Sequence, residues 1–243
     1  MTDKTDLLQY AGQPLPKKKL SLKFLIEAGI ALFSLGYIVN IANRFVLFIF
    51  QVLGDFSIEN VVESLVLNKT DWILVLVVVI VGPFIEELLF RKILIDRLNI
   101  YGGKLAIIVS AIMFGLFHGN VEQIPYAMAL GLILGYVYQR SGNILYSWIL
   151  HMIFNLNGSI ISLKIVESQN TTLIIAYELI LLVIILVGIV VMAIRARELI
   201  YVETEKQLPK KSTLKTVLIN PGMITMLIVC LILVVFNLVN MIR

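Results

Sequence analysis

Glu86 and Glu87 stand side by side in an apolar run, and Arg91 follows the second of them by four residues. On a helix this spacing puts Glu87 and Arg91 on one face, where they can pair. Glu86 then points about 100° away and is left for other work. The chain has two histidines, and both fall in apolar runs: His118 closes Phe114 to His118, and His151 opens His151 to Asn155. Asn155 lies one turn beyond His151 on the same face. An ionised side chain deep in a bilayer costs about 2.5–3.5 kcal/mol even on the lenient insertion scale, so such a set calls for a purpose.

A Glu, two His and an Asn converging in a wet pocket suit hydrolysis of a peptide bond, by either of two routes. In one, Glu86 is the general base for a water held by His118, while His151 and Asn155 donate hydrogen bonds to the oxyanion. In the other, Glu86, His118 and His151 hold a zinc ion whose open position carries the water. No HExxH helix is present to fix two imidazoles on one metal, and the residues alone leave both routes open. Ser147 is also one turn from His151 and could form a Ser-His dyad, but this leaves Glu86 and His118 without a task. The plainer alternative is a cluster at the membrane interface, with Arg91 and Lys92 snorkelling to water and each histidine a satisfied structural residue.

The elements that must position these groups are membrane helices. Of 243 residues, 59% are hydrophobic and only 15% charged, and the mean hydropathy is +0.95, so lipid is the solvent for most of the chain. The net charge of +4 comes from basic residues beside apolar runs, as the positive-inside rule expects, and requires no nucleic acid as partner. A single cysteine, Cys230, excludes a disulfide within the chain and reads as a small hydrophobe. Apolar segments run from Leu20 to Leu53, Trp72 to Leu98, Lys104 to Phe117, Ile124 to Gln139, Asn143 to Ser162, Thr172 to Ile194 and Pro221 to Ile242. These predict an all-α, polytopic bundle of about seven membrane helices around a polar cavity. Residues 1–19 read as an uncleaved basic cytoplasmic tail, 20–243 as the membrane domain and 195–217 as a basic cytoplasmic loop.

Some of these segments depart from ordinary spans. The first, at about 1.5 Å per residue, would be about 50 Å long against a hydrocarbon core of about 30 Å. It must tilt, extend into water or break, with Asn40 to Arg44 as the expected place for a break, which would hide an eighth, partial helix. The third and fourth are short and suit helices recessed around water. Pro83 should kink the second helix just before the carboxylate pair. Counted from the proposed cytoplasmic ends, Glu86 and Asn155 lie about 18 Å deep, His118 about 21 Å and His151 about 12 Å, one broad layer. The pairs Gly115 and Gly119, and Gly131 and Gly135, allow close helix approach around it.

In order, EExxxR (Glu86, Glu87, Arg91), FxxxH (Phe114, His118) and HxxxN (His151, Asn155) form a pattern that resembles the CAAX protease and bacteriocin-processing family, also called CPBP or Abi. The stretch from Gly131 through Tyr138, Gly142 and Trp148 is similar to that family's approach to its last motif, and the resemblance covers Gly82 to Asn157, within a core of 82–157. It implies an integral membrane endopeptidase with an all-helical cavity open to the cytoplasm. By the same resemblance Glu86 and His118 activate water, His151 and Asn155 stabilise the oxyanion, and Glu87 and Arg91 shape the site. The family carries both a metalloprotease label, with zinc as the candidate, and a metal-independent glutamate mechanism. Its substrates are peptides or proteins at the bilayer: eukaryotic members trim prenylated proteins, and bacterial members serve bacteriocin immunity, peptide maturation and regulation. Composition, rich in Ile, Leu, Lys and Asn, suggests a bacterial plasma-membrane member. An immunity or binding protein with an idle site is the main alternative. A transporter using these groups as a proton relay is disfavoured by the absence of an inverted repeat.

Overall fold

The backbone of a chain this apolar must satisfy its own polar groups, and helices do so within each segment. A computed structural model describes residues 14–54, 75–200 and 213–241, and among these residues there is no strand. Helix α1 is Leu22–Gly54, with Ser21 Oγ accepting from the Phe24 N–H at 3.2 Å near its start. A second helical stretch, α2, covers residues 76–98. It alternates wide π-helical turns at Leu76–Val81 and Leu88–Ile95 with α-helical Gly82–Glu87 and Asp96–Leu98. Then come α3 (Gly103–Phe117) and α4 (Ile124–Ser141). Helix α5 (Ile144–Leu156) continues through a wide turn, Asn157–Ile161, into Ser162–Glu167. Helices α6 (Thr171–Ile200), the short α7 (Thr213–Leu218) and α8 (Pro221–Met241) complete the order.

Among the described residues four helices, Leu22–Leu53, Ile144–Glu167, Thr171–Glu198 and Pro221–Val239, are long and apolar enough to cross a membrane. The protein is an all-α integral membrane bundle. Helices α2, α3 and α4 are shorter or more polar; each turns one face into the bundle, with Phe90, Phe114, Leu134, Val137 and Tyr138 almost wholly buried, and leaves apolar residues such as Ile85, Ile112 and Leu132 exposed on the other.

The expected break at Asn40 to Arg44 is not there: α1 is continuous through it. Its polar residues are accommodated without unwinding. Arg44 Nε donates to Asn40 Oδ1 at 3.4 Å, and the Asn43 amide leaves the helix surface to reach the α3–α4 loop. The expected loop at 195–217 is also shorter at both ends, because α6 runs on to Ile200 and α7 begins at Thr213; residues 201–212 and the tail 1–13 lie outside the described residues, as do 72–74 of the second predicted span. Arg195 belongs to the bundle, with Nε and Nη2 at 3.1 and 2.6 Å from Glu27 Oε2 on α1.

Small residues set the helix spacing. A Cβ on Gly131 of α4 would come within 2.8 Å of the Ala111 Cα on α3, and one on Gly188 of α6 would collide with the Ser34 Cβ on α1. At that second crossing Ser34 Oγ donates to the Ile185 carbonyl at 2.9 Å. A polar latch fixes the end of α2 on α4: Tyr138 Oη donates to Asp96 Oδ1 at 2.8 Å, and Lys92 Nζ lies 2.6 Å from Asp96 Oδ2. Helix α4 stops at Gly142, whose φ of 60° is left-handed and favours glycine.

Gly188→Val should therefore lower stability by about 1–3 kcal/mol, the usual cost of overpacking. A reduced thermal midpoint of the detergent-purified protein would report it. Gly158→Ala, with no atom within 4 Å of the added carbon, should leave the midpoint unchanged or slightly raised.

Candidate active site

Pro83 has no N–H, so it leaves a carbonyl one turn back without its ladder partner. Rather than a bare kink, the sequence before it adopts wide turns, in which the Gly82 N–H returns to the Val77 carbonyl. Helix α5 supplies donors to carbonyls of this stretch. Asn155 Nδ2 donates to the Val78 carbonyl at 3.1 Å, and Trp148 Nε1 to the Ile80 carbonyl at 3.0 Å. The Phe84 ring packs edge-on against Trp148 with centroids 5.2 Å apart. These contacts dock α5 along α2 and bring His151 to the carboxylates.

Glu87 and Arg91 pair as their spacing predicts, and both side chains are fully buried. Arg91 Nε lies 3.0 Å from Glu87 Oε2, an ionic contact whose angle is not that of an aligned hydrogen bond. The other carboxylate oxygen of Glu87 is 3.2 Å from His151 Nδ1. Arg91 Nη1 donates to Ser110 Oγ at 3.3 Å, and that hydroxyl donates to the Phe90 carbonyl at 2.8 Å. The guanidinium centre sits 4.6 Å above the Phe114 ring. The same ring meets His118 and His151 edge-on, at centroid distances of 5.0 and 5.5 Å.

Glu86 behaves differently from its neighbour. Its side chain keeps 24% of its surface exposed, and Oε2 lies 3.6 Å from His151 Nε2. Its charge is also felt at His118 and Arg91. His118 Nδ1 is 2.8 Å from the Phe114 carbonyl. A carbonyl can only accept, so Nδ1 carries the hydrogen and Nε2 keeps its lone pair for another partner. The structure thus gathers Glu86, Glu87, Arg91 and His151 in direct contact, joins His118 to them through Phe114, and places Asn155 on the α2 backbone beside them.

Two alternative readings of these residues meet the geometry less well. Ser147 Oγ donates to the Ile144 carbonyl at 3.1 Å, while both His151 nitrogens face carboxylates, so a Ser147-His151 dyad does not form. For zinc, no three His, Cys, Asp or Glu side chains among the described residues converge closely enough to hold a metal ion. As placed, Glu86 Oε2 lies 3.6 Å from His151 Nε2 and His118 meets them only across the Phe114 ring, which does not fit a three-ligand metal set. An apolar groove of about 400 Å³, lined by residues that include Leu25, Gly29, Phe33, Tyr146 and Ile149, runs between α1 and α5, and none of the six site residues lines it.

Comparison with known proteins bears on this arrangement. Residues 68–157 match the type II CAAX prenyl endopeptidase Rce1-like family. The UPF0177 protein YxdF of Lactococcus lactis is 31% identical over 134 residues, covering 54% of this chain and 72% of that protein. The chain belongs to the CPBP family. The putative membrane peptidase YdiL of Bacillus subtilis is 30% identical over 150 residues, covering 58% of each chain. The membrane-embedded CAAX protease MroQ of Staphylococcus aureus is 27% identical over 141 residues, covering 55% of this chain and 56% of its own. The chain therefore spans little more than half the length of YdiL and MroQ. No solved structure matches it. The matched region contains every residue of the CPBP pattern, together with three that motif letters undervalue. Phe114 is the ring on which Arg91 and both histidines meet, Ser110 anchors the guanidinium, and Trp148 holds α2. Trp148, His151 and Asn155 fall at i, i+3 and i+7, one helical stripe, which is the signal that could have singled out the tryptophan.

Removing one member of a buried ion pair leaves the other charge uncompensated, at about 3–5 kcal/mol. Glu87→Ala and Arg91→Ala should each sharply lower the amount of folded protein in the membrane, whereas Glu86→Gln, at a partly exposed position, should not. Membrane-fraction immunoblots and thermal midpoints check this, and a wild-type level for Glu87→Ala would refute the buried-pair assignment.

Proposed function

We propose that this protein is an intramembrane endopeptidase that hydrolyses peptide bonds of membrane-associated or lipidated peptides or proteins, with Glu86 as the base that activates water. One observation carries the reading: of two adjacent carboxylates, one is spent in a fully buried ion pair and the other is partly exposed beside imidazole. The kinship to proteins described as a membrane peptidase and a membrane-embedded CAAX protease supports it.

In the proposed reaction a water hydrogen-bonds to His118 Nε2, the ring atom left free by the Phe114 carbonyl. Glu86 removes a proton as the water oxygen attacks the scissile carbonyl carbon. His151 holds Glu87 with Nδ1; when Nε2 carries a hydrogen, that nitrogen donates to the oxyanion. Asn155 uses one amide hydrogen on the Val78 carbonyl and has a second for the same oxyanion. The intermediate collapses as Glu86 returns its proton to the leaving amine. The substrate binds from the membrane, and the apolar groove between α1 and α5 supports a hydrocarbon-bearing one. We place the protein in a bacterial plasma membrane with its N-terminus in the cytoplasm, on the strength of its bacterial relatives and of the basic residues Lys17, Lys18 and Lys19.

Purified wild-type protein should cleave members of a panel of membrane-associated peptides. Glu86→Gln and His118→Ala should each cost about 10²–10⁴-fold while the protein still accumulates. The glutamate route predicts activity indifferent to a strong chelator; loss of activity restored by zinc would replace it with metal-assisted hydrolysis. Biological protection that survives in Glu86→Gln would favour an immunity protein whose site is idle.

A further inference from the structure

Helix α3 has 15 residues and is about 22 Å long, shorter than the hydrocarbon core of about 30 Å. The turn that follows, His118 to Gln123, is therefore non-helical backbone at membrane depth, with Gly119 in the left-handed region at φ 65°. Such backbone persists in a bilayer only when its polar groups find partners inside the protein. Within the turn, the Asn120 carbonyl accepts from the N–H groups of Gln123 and Ile124, both at 2.9 Å. The Asn120 side chain accepts from the Glu122 N–H at 2.9 Å. The Gln123 carbonyl accepts from the Ala127 N–H at 2.9 Å, and three more carbonyls are reached from other helices. Asn237 Nδ2 on α8 donates to Gly119 at 3.0 Å, and Asn43 Nδ2 on α1 donates to Val121 and Glu122, each at 3.1 Å.

From Pro221, Asn237 lies about 24 Å along α8, within one turn of the about 21 Å that His118 reaches along α3. Packing is tight there as well. A Cβ on Gly119 would stand 2.9 Å from the Leu233 Cβ and 3.0 Å from Asn237 Nδ2. Both asparagines lie outside residues 68–157, the part of the chain that matches the family. Each side-chain amide donates to carbonyls of the turn that His118 opens, and an asparagine in a lipid-facing helix otherwise weakens its insertion.

We propose that Asn237 and Asn43 are positioning residues that clamp the recessed turn from two sides and thereby fix His118. The proposal assigns α8 and α1 a part in setting the site, made through the backbone and not by contact with substrate. It rests on the catalytic reading only for its activity arm.

The test compares Asn237→Leu, which keeps the volume but has no donor, with Asn237→Gln, which keeps the amide, in protein held in lipid nanodiscs. Two readouts need no activity: amide hydrogen exchange of peptides covering 114–126, and the rate of carbethoxylation of His118 against His151 by mass spectrometry. Asn237→Leu should speed exchange in the turn and modification of His118 by about tenfold, the scale of one buried hydrogen bond, with His151 unchanged. Asn237→Gln should restore much of the protection, and Asn43→Leu should act in the same direction as Asn237→Leu. On a cleaved peptide, Asn237→Leu should lower kcat with KM unchanged. Unaltered exchange and unaltered His118 modification in Asn237→Leu overturn the clamp, as does equal acceleration at His118 and His151, which would mean general loosening. If the wild type cleaves nothing, the catalytic reading is what fails, and the exchange and modification rates still decide the clamp.

Discussion

An arginine with no exposed surface must be neutralised where it stands. Inside this bundle Arg91 is in direct contact with the carboxylate of Glu87, four residues earlier on its own helix. Breaking such a pair is far more costly than forming it is favourable, so everything that touches it is held in place. Glu87 holds His151 on α5, Arg91 holds Ser110 on α3, and the guanidinium lies on the Phe114 ring, against which both imidazoles rest. Three helices are thus registered by one ion pair. The pair contributes position more than net stability, which is the use of buried charge best supported by its cost.

Adjacency of the two glutamates follows from the same constraint. Neighbouring residues on a helix differ by about 100° in direction. When Glu87 is directed into the core, Glu86 is turned toward the space beside His151 and keeps part of its surface exposed. One dipeptide thereby provides an anchored carboxylate and an unanchored one, with the anchored one's partner already in place. The imidazole between them completes the division: Nδ1 faces the anchor and Nε2 the unanchored group.

Much of this was legible before any coordinates, because it is local. The pairing of Glu87 with Arg91, the stripe holding His151 and Asn155, the small residues at Gly131 and Gly115, and the helical character of each apolar run all follow from spacing along a single helix. What was not legible depends on a neighbour's position. Continuity of α1 through Asn40 to Arg44 looked improbable because three polar residues stood together in an overlong segment; it becomes intelligible only when the Asn43 amide is seen to have a destination on another element. Arg195 resembled one more loop cation until Glu27, far away in sequence, was found beside it. Phe114 is one of 12 phenylalanines, and nothing in its type distinguishes a ring that organises three polar groups from one that fills core.

Two of the places where the backbone leaves α-helical geometry flank the candidate site residues Glu86 and His118. Wide turns precede Pro83 and Glu86, and the recessed turn begins at His118. In water either irregularity could be repaired by solvent, leaving its location loosely defined. In a bilayer each freed carbonyl costs several kcal/mol unless a protein donor reaches it, so an irregular turn is tolerated only where another helix brings an N–H. Trp148 and Asn155 do this for the first turn, and Asn43 and Asn237 for the second. The requirement that makes irregular backbone expensive therefore also fixes its position against the rest of the bundle. A side chain placed next to such a turn inherits that fixity, whereas one in a regular helix could slide with its whole segment. This gives a physical reason for a hydrolytic site in lipid to be built beside broken helices, with side-chain amides from several elements meeting its backbone.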